Sequence, residues 1–186
     1  LLCTGGGGTY HLPPRAKKLA GPLAKMRGLV VEAVAWDPAA AGEPSSGAVL
    51  VGTADGAVYE TVLSGGKVAE RYVREVHRLK VAAPVCGLEI LRLPAQPPGA
   101  AGSKRGVVLT TAAPTRYYEF VGAAGASFGA LFSAYSEPGK EAFNEFLGAA
   151  PAGCSVPPPA LRVFANARGG PARARRSFAL LTTAGV

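Results

Sequence analysis

Two short patterns carry residue types capable of chemistry. Gly125-Ala126-Ser127-Phe128-Gly129 fits the G-x-S-x-G frame in which a serine on a sharp strand-to-helix turn attacks an acyl carbon. Such a serine needs a histidine to take its proton, and in that class the histidine follows it in the chain. The two histidines, His11 and His77, both precede Ser127. The pattern is therefore read as a product of Gly-, Ala- and Ser-rich sequence, with a serine hydrolase using Ser127 kept only as the enzymatic alternative. The Gly5–Gly8 run offers backbone amides to a phosphate, but no Gly-Lys-Ser/Thr and no helical pattern follow it, so it is read as a loose turn. Cys3, Cys86 and Cys154 are odd in number and far apart, which suggests neither a disulfide framework nor a zinc site. Cys3 and Cys86 are expected as small buried strand residues in a reducing compartment. Glu137, Glu141 and Glu145 recur every four residues around Pro138-Gly139 and read as solvated or turn positions. No catalytic, cofactor-binding or metal-ligating set is assigned, and no cofactor or small-molecule substrate is expected.

Charge gives a second test of function. The formal charge is +8, from 20 Lys and Arg against 12 Asp and Glu. The basic residues lie in scattered groups, from Arg15, Lys17 and Lys18 through Arg71, Arg74, Arg78 and Lys80 to Arg173, Arg175 and Arg176. No aromatic residues interleave with them as in a base-stacking surface. Nucleic acid is thus not the expected partner. A generic propeller module with a basic surface remains the alternative, and RNA binding through Arg173–Arg176 would weaken steeply with salt. No run of 18 apolar residues is present, so no membrane span is expected.

The elements that must position these residues are strands. Val49–Leu63, reading VLVGTADGAVYETVL, is two apolar runs around Asp55-Gly56, a β-hairpin signature. Asp-Gly tolerates the positive φ of a short turn, while the valines favour extended backbone. The motif recurs. Short apolar runs end in Thr4, Thr53, Thr111 and Thr183, at intervals of 49, 58 and 72 residues, each followed by small or turn-forming residues. A hairpin cannot bury its own apolar face, so regular recurrence implies stacking against neighbours. Blades of a β-propeller, about 40 to 50 residues each, fit the shortest interval, and the longer ones leave room for inserts. Gly and Pro, 25 and 16 residues, supply the turns.

The fold expected is all-β: a partial propeller of four-stranded antiparallel blades, about three and incomplete, spanning 1–186. Residues 1–12 end one blade, 29–79 form a second, 84–147 a third, and 160–186 begin a truncated fourth segment. Leu29–Trp36 and Val85–Leu93 are inner strands with both faces covered. Lys67–Leu79 supplies a charged outer strand. Phe128, Leu131, Phe132 and Tyr135 recur at helical spacing, giving a short helical insert near 127–136 before an outer strand near Ala142–Leu147. Both natural ends are expected to lie beyond this sequence, which starts at Leu1 and stops inside a hairpin.

The GTADGAVYE hairpin, the later APVCGLEI, the TRYYEFVG strand and the SFGALFSAYSE segment together resemble the amino-terminal β-propeller of the Pep-three/deep-orange family of vacuolar protein sorting proteins. The resemblance covers nearly the whole chain. It implies a non-enzymatic scaffold, part of a core subunit of the class C complexes HOPS and CORVET. These tether endosomal and vacuolar or lysosomal membranes, with Rab GTPases and SNARE proteins as partners of the complex. It also implies peripheral association with the cytoplasmic face of late endosomes and the vacuole or lysosome. The family continues into an α-solenoid and a RING-type module that this sequence lacks. Phe128, Phe132 and Tyr135 are the candidate partner surface, because aromatic side chains are enriched at interface centres; covering the blade's edge is the alternative.

Overall fold

The computed structural model describes residues 1–12, 17, 19, 21–38, 47–63, 72–93, 102–111 and 116–135, and the backbone of strands 143–145, 160–166 and 177–182. These residues form a partial β-propeller of antiparallel sheets. Strands β1 (Leu2–Cys3) and β2 (Thr9–Tyr10) pair as a short hairpin. Next come β3 (Val31–Trp36), β4 (Ala48–Thr53), β5 (Ala57–Val62) and β6 (Val73–Arg78), paired in chain order as one four-stranded meander. A second meander repeats the order with β7 (Val85–Leu93), β8 (Lys104–Thr111), β9 (Arg116–Ala123) and β10 (Phe143–Glu145). The helix α1 (Phe128–Ser133) lies between β9 and β10, and β11 (Ala160–Asn166) pairs with β12 (Ser177–Thr182).

Register shows how closely the sheets repeat one another. Val31 pairs with Thr53, Val85 with Thr111 and Ala160 with Thr182. In each sheet the next residue, Glu32, Cys86 or Leu161, is skipped, and pairing resumes at Ala33–Gly52, Gly87–Thr110 and Arg162–Leu181. The same β-bulge therefore opens β3, β7 and β11. It also adjusts the expected series of threonines: Thr182 holds the fourth place, one residue before Thr183, which lies outside the described residues.

The threonines act as turn clamps. The Thr53 hydroxyl accepts from the Ala57 N–H at 3.1 Å and sits 3.0 Å from the Ala57 carbonyl oxygen. Thr4 does the same to Gly8, at 3.1 and 3.3 Å. In both turns the third residue after the threonine is a glycine at positive φ, Gly56 at 84° and Gly7 at 77°, where an L side chain would be strained. Thr111 accepts instead from Arg116 N–H, five residues on, so its turn is one residue longer. Each turn glycine also lies under the segment leading to the next sheet. Gly28 N–H donates to Gly7 O at 3.1 Å and Leu79 N–H to Gly56 O at 3.0 Å. A Cβ on Gly7 would lie 2.9 Å from Gly28 Cα, and one on Gly56 3.1 Å from Ala83 O.

The main core is the seam between the two meanders. From the first come Ala33, Ala35, Leu50, Val58 and Leu79; from the second Val85, Leu88, Ile90, Val107, Leu109, Tyr118 and Phe120, with Phe128, Leu131 and Phe132 of α1. Side-chain size is graded. The inner strands β3 and β7 approach closely because Ala33, Ala35 and Gly52 are small, and a Cβ on Gly52 would lie only 2.4 Å from Val85 Cγ1. Farther out, where α1 lies against β6 and β9, the aromatic residues fill a wider gap. A second cluster, Met26, Val49, Val51 and Leu63, covers the other face of the first meander, with Met26 held by a single 3-10 turn at Ala24–Met26.

Several expectations change in detail. The outer strand expected over Lys67–Leu79 is described only as Val73–Arg78, and the one expected near Ala142–Leu147 as Phe143–Glu145. β8 begins at Lys104, which pairs with both Leu93 and Ala123. Cys3 and Cys86 are half-buried rather than buried. Trp36, expected on a covered strand, is 46% exposed.

Candidate functional site

The helical insert starts where Ser127, in extended conformation, turns its hydroxyl back to accept from Ala130 N–H at 3.2 Å. That is an N-cap, the ordinary use of serine at a helix start. The serine of the G-x-S-x-G pattern thus serves the turn. The helix then presents Phe128, Leu131 and Phe132 to the seam on one face.

Phe128 and Phe132 are 1% and 0% exposed. Phe132 meets the edge of Phe120 with ring centroids 4.8 Å apart and stacks on His77 at 5.0 Å. Tyr135 packs edge-on to Phe120, and its hydroxyl accepts from Val121 N–H at 3.0 Å while donating to Val121 O at 3.2 Å. The three side chains named as a candidate partner surface face the sheet, the arrangement of the edge-covering alternative, with Tyr135 half-buried, and the helix shows solvent Ala130 and Ser133. Periodicity located the helix but could not say which side its aromatic stripe would face.

Beside the insert lies an ionic knot. Arg105 on β8 donates through Nη2 to Asp37 Oδ2 at 2.9 Å and through Nη1 to Ala126 O at 3.0 Å, and its guanidinium lies 4.7 Å over the Phe128 ring. Arg92, directly opposite Arg105 on β7, places Nε 3.7 Å from Asp37 Oδ1. One carboxylate just past β3 therefore binds the next sheet and its insert. Arg105 is 17% exposed and Asp37 9% at the side chain. The hint available beforehand was the acid directly after an apolar strand, Trp36-Asp37-Pro38.

Two further networks tie strand ends. Arg78 reaches Asp55 at 2.9 Å and forks onto Glu75 at 3.0 and 2.7 Å. The Thr53 hydroxyl, then Arg78, hold the Asp55 carboxyl below its usual range, and Arg78 does the same for Glu75. Buried Glu60 accepts from Tyr72 OH and from Arg74, both at 2.7 Å. Burial first, and the Glu60 hydrogen bond second, push the Tyr72 phenol up to about 12. Burial likewise raises the Cys86 thiol and lowers His77 to about 4.

These carboxylates are engaged by arginines, and Ser127 is engaged as a cap. Among the described residues no group of three or more His, Cys, Asp or Glu could hold a metal ion, and no helix is long and apolar enough to cross a membrane. What the arrangement can do is hold the described turns at fixed positions on stacked sheets. Glu137, Glu141 and Arg173–Arg176 lie outside the described residues.

Comparison with known proteins gives a consistent picture. A family model described as the Pep3/Vps18/deep orange β-propeller domain matches residues 1–186. The vacuolar protein sorting-associated protein 18 homolog of Danio rerio is 30% identical over 101 residues, covering 50% of this chain and 10% of that protein. The vacuolar sorting protein 18 of Arabidopsis thaliana is 29% identical over 138 residues, covering 72% of this chain and 13% of that protein. The chain thus spans little more than a tenth of the length of these relatives. No solved structure matches it.

Proposed function

This chain belongs to the Pep3/Vps18/deep orange β-propeller family, and from that premise we propose that it is a non-enzymatic interaction platform within a class C membrane-tethering subunit. In this reading the parent protein joins the HOPS and CORVET complexes and acts in docking and fusion of endosomes with the vacuole or lysosome. It associates peripherally with the cytoplasmic face of those membranes, and Rab GTPases and SNARE proteins are met through the complex.

The observation that carries the reading is the family match over the whole chain. The physical organisation supports it. Sheets locked by an apolar seam and by Arg105–Asp37 form a rigid frame, which is what a docking scaffold requires. The residues with chemical potential serve the fold: Ser127 caps a helix and His77 is an aromatic-packed seam residue.

Complementation tests this. Cells lacking their own copy of the family protein receive the full-length parent protein, the same protein with residues 1–186 deleted, or the Ser127→Ala variant. The intact protein and Ser127→Ala are expected to restore both tethering-complex assembly and vacuolar delivery, and the deletion is not. Full rescue by the deletion would remove the platform role; loss of rescue by a folded Ser127→Ala protein would reopen catalysis.

A further inference from the structure

The second four-stranded sheet carries a charge arrangement that the repeat does not require. Arg92 on β7 and Arg105 on β8 stand directly opposite each other. Like charges so placed repel, and an anion beside them relieves the repulsion. Arg92 lies two residues on from Ile90 and Arg105 two before Val107, the pair that corresponds in register to Trp36 and Val49. The same places in the first four-stranded sheet are Pro38 and Gly47, which bear no charge.

One carboxylate serves both arginines. Asp37 holds Arg105 through Nη2 at 2.9 Å, and Ala126 O holds the same guanidinium through Nη1 at 3.0 Å, so Arg105 is pinned. Arg92 is not: its Nε stands 3.7 Å from Asp37 Oδ1, beyond hydrogen-bond reach, and its side chain is 57% exposed. Exposed Lys104 precedes Arg105 at the same end of the sheet, opposite Leu93. Among the described residues this corner holds three cations and one carboxylate, a residual charge of +2.

We infer that Arg92 and Arg105, with Lys104 adding charge at the same sheet end, form a binding site for a phosphate monoester, free or borne on a lipid headgroup. A phosphomonoester carries about −1.5 to −2 at neutral pH and so matches the residual charge, whereas a peptide carboxylate would leave half of it. The planar guanidinium fork fits phosphate oxygens. Arg105 is a donor plane already fixed by the fold, and Arg92 supplies the uncommitted one. Asp37 competes with the ligand for both. The lipid source rests on the reading above that the parent protein meets a membrane; the free source does not.

Glycerol 3-phosphate is titrated into the 186-residue chain, and the chain is floated with phosphatidylcholine vesicles doped with phosphatidic acid or, at equal total charge, phosphatidylserine. Saturable binding of glycerol 3-phosphate and a preference for phosphatidic acid are expected. Arg92→Gln, at an exposed position, should weaken both about tenfold, the loss of one charge-assisted fork. Arg27→Gln removes the same charge from an exposed position elsewhere and should change little. Asp37→Asn, checked for folding by circular dichroism, should tighten binding by removing the competitor. Vesicle binding that glycerol 3-phosphate competes away supports the headgroup as source; glycerol 3-phosphate binding without vesicle binding supports the free ester and leaves the membrane reading to the complementation test. Absence of saturable binding to either probe overturns the site. Equal losses in Arg92→Gln and Arg27→Gln assign binding to the overall charge of +8 and overturn it as well. Equal binding of the two anionic vesicles overturns the monoester, and unchanged binding in folded Asp37→Asn overturns the paired-arginine geometry.

Discussion

At the scale of single residues, closeness of approach decides which positions are intolerant. Gly52 has no room for a methyl group, since its Cβ would fall 2.4 Å from Val85 Cγ1. Gly52→Ala is expected to cost about 2 kcal/mol in urea unfolding, and Val85→Ala added to it should recover part of that loss through a negative coupling energy. Arg105 is intolerant for a different reason: it neutralises a carboxylate that is 9% exposed. Arg105→Ala should cost about 3 kcal/mol, because Asp37 would be left poorly compensated. Arg105→Lys should recover little, since an ammonium cannot bond Asp37 and Ala126 while stacking on Phe128. His77 gives the pH dependence. Its folded value, about 4, lies below the ordinary 6.5, with burial the first cause and Lys80 the second. The unfolded chain therefore binds the extra proton first, so stability should fall as pH drops from about 6.5 towards 4. The loss should be about 1 kcal/mol by pH 5 after allowance for solvent screening. Denaturation series at pH 7.5 and 5 on the chain and on His77→Phe check this; a slope that survives in His77→Phe assigns it to other groups.

At the scale of elements, the hairpin and its clamp explain both what was legible beforehand and what was not. Asp55-Gly56 between valine-rich runs identified β4 and β5, because the turn chemistry and the strand preference are local properties. β7 was legible to its ends for the same reason. The bulge was not legible. It places Val31, Val34 and Trp36 on one face at uneven spacing, so simple alternation fails at the start of each first strand, and only cross-strand register reveals which threonine is equivalent to which. The knot at Asp37 was hidden because its partners lie 55 and 68 residues away in sequence, at Arg92 and Arg105. The direction of the aromatic stripe on α1 was likewise a tertiary fact. Thr53→Val keeps the shape and strand preference of the residue but removes the hydroxyl that holds Ala57 and Asp55. It should destabilise the chain by about 1 kcal/mol. It should also raise the Asp55 pKa towards its ordinary value, because the Thr53 hydrogen bond is the first cause of its depression. Carboxyl titration by NMR reads that shift, and an unchanged Asp55 would show that Arg78 alone sets it.

At the scale of the whole molecule, stability comes from neighbours covering one another. The seam between the two four-stranded sheets is closed, whereas Trp36 at the end of β3 is 46% exposed. The isolated 186 residues are accordingly expected to melt broadly in circular dichroism, the seam outlasting the β1–β2 end; one sharp transition common to all probes would contradict this. The family assignment also belongs to this scale, since a lone hairpin of this kind is shared by many proteins, whereas the match runs through residues 1–186.

The gradation of side chains across the seam, from Ala33 and Gly52 inside to Phe120 and Phe132 outside, has a geometric meaning. A gap that is thin at one end and thick at the other inclines one sheet against the next, and an inclination repeated around an axis determines how many sheets complete the circle. Enlarging Ala33 or Ala35 would flatten that inclination, so these two methyl groups help to set the count of blades that can close.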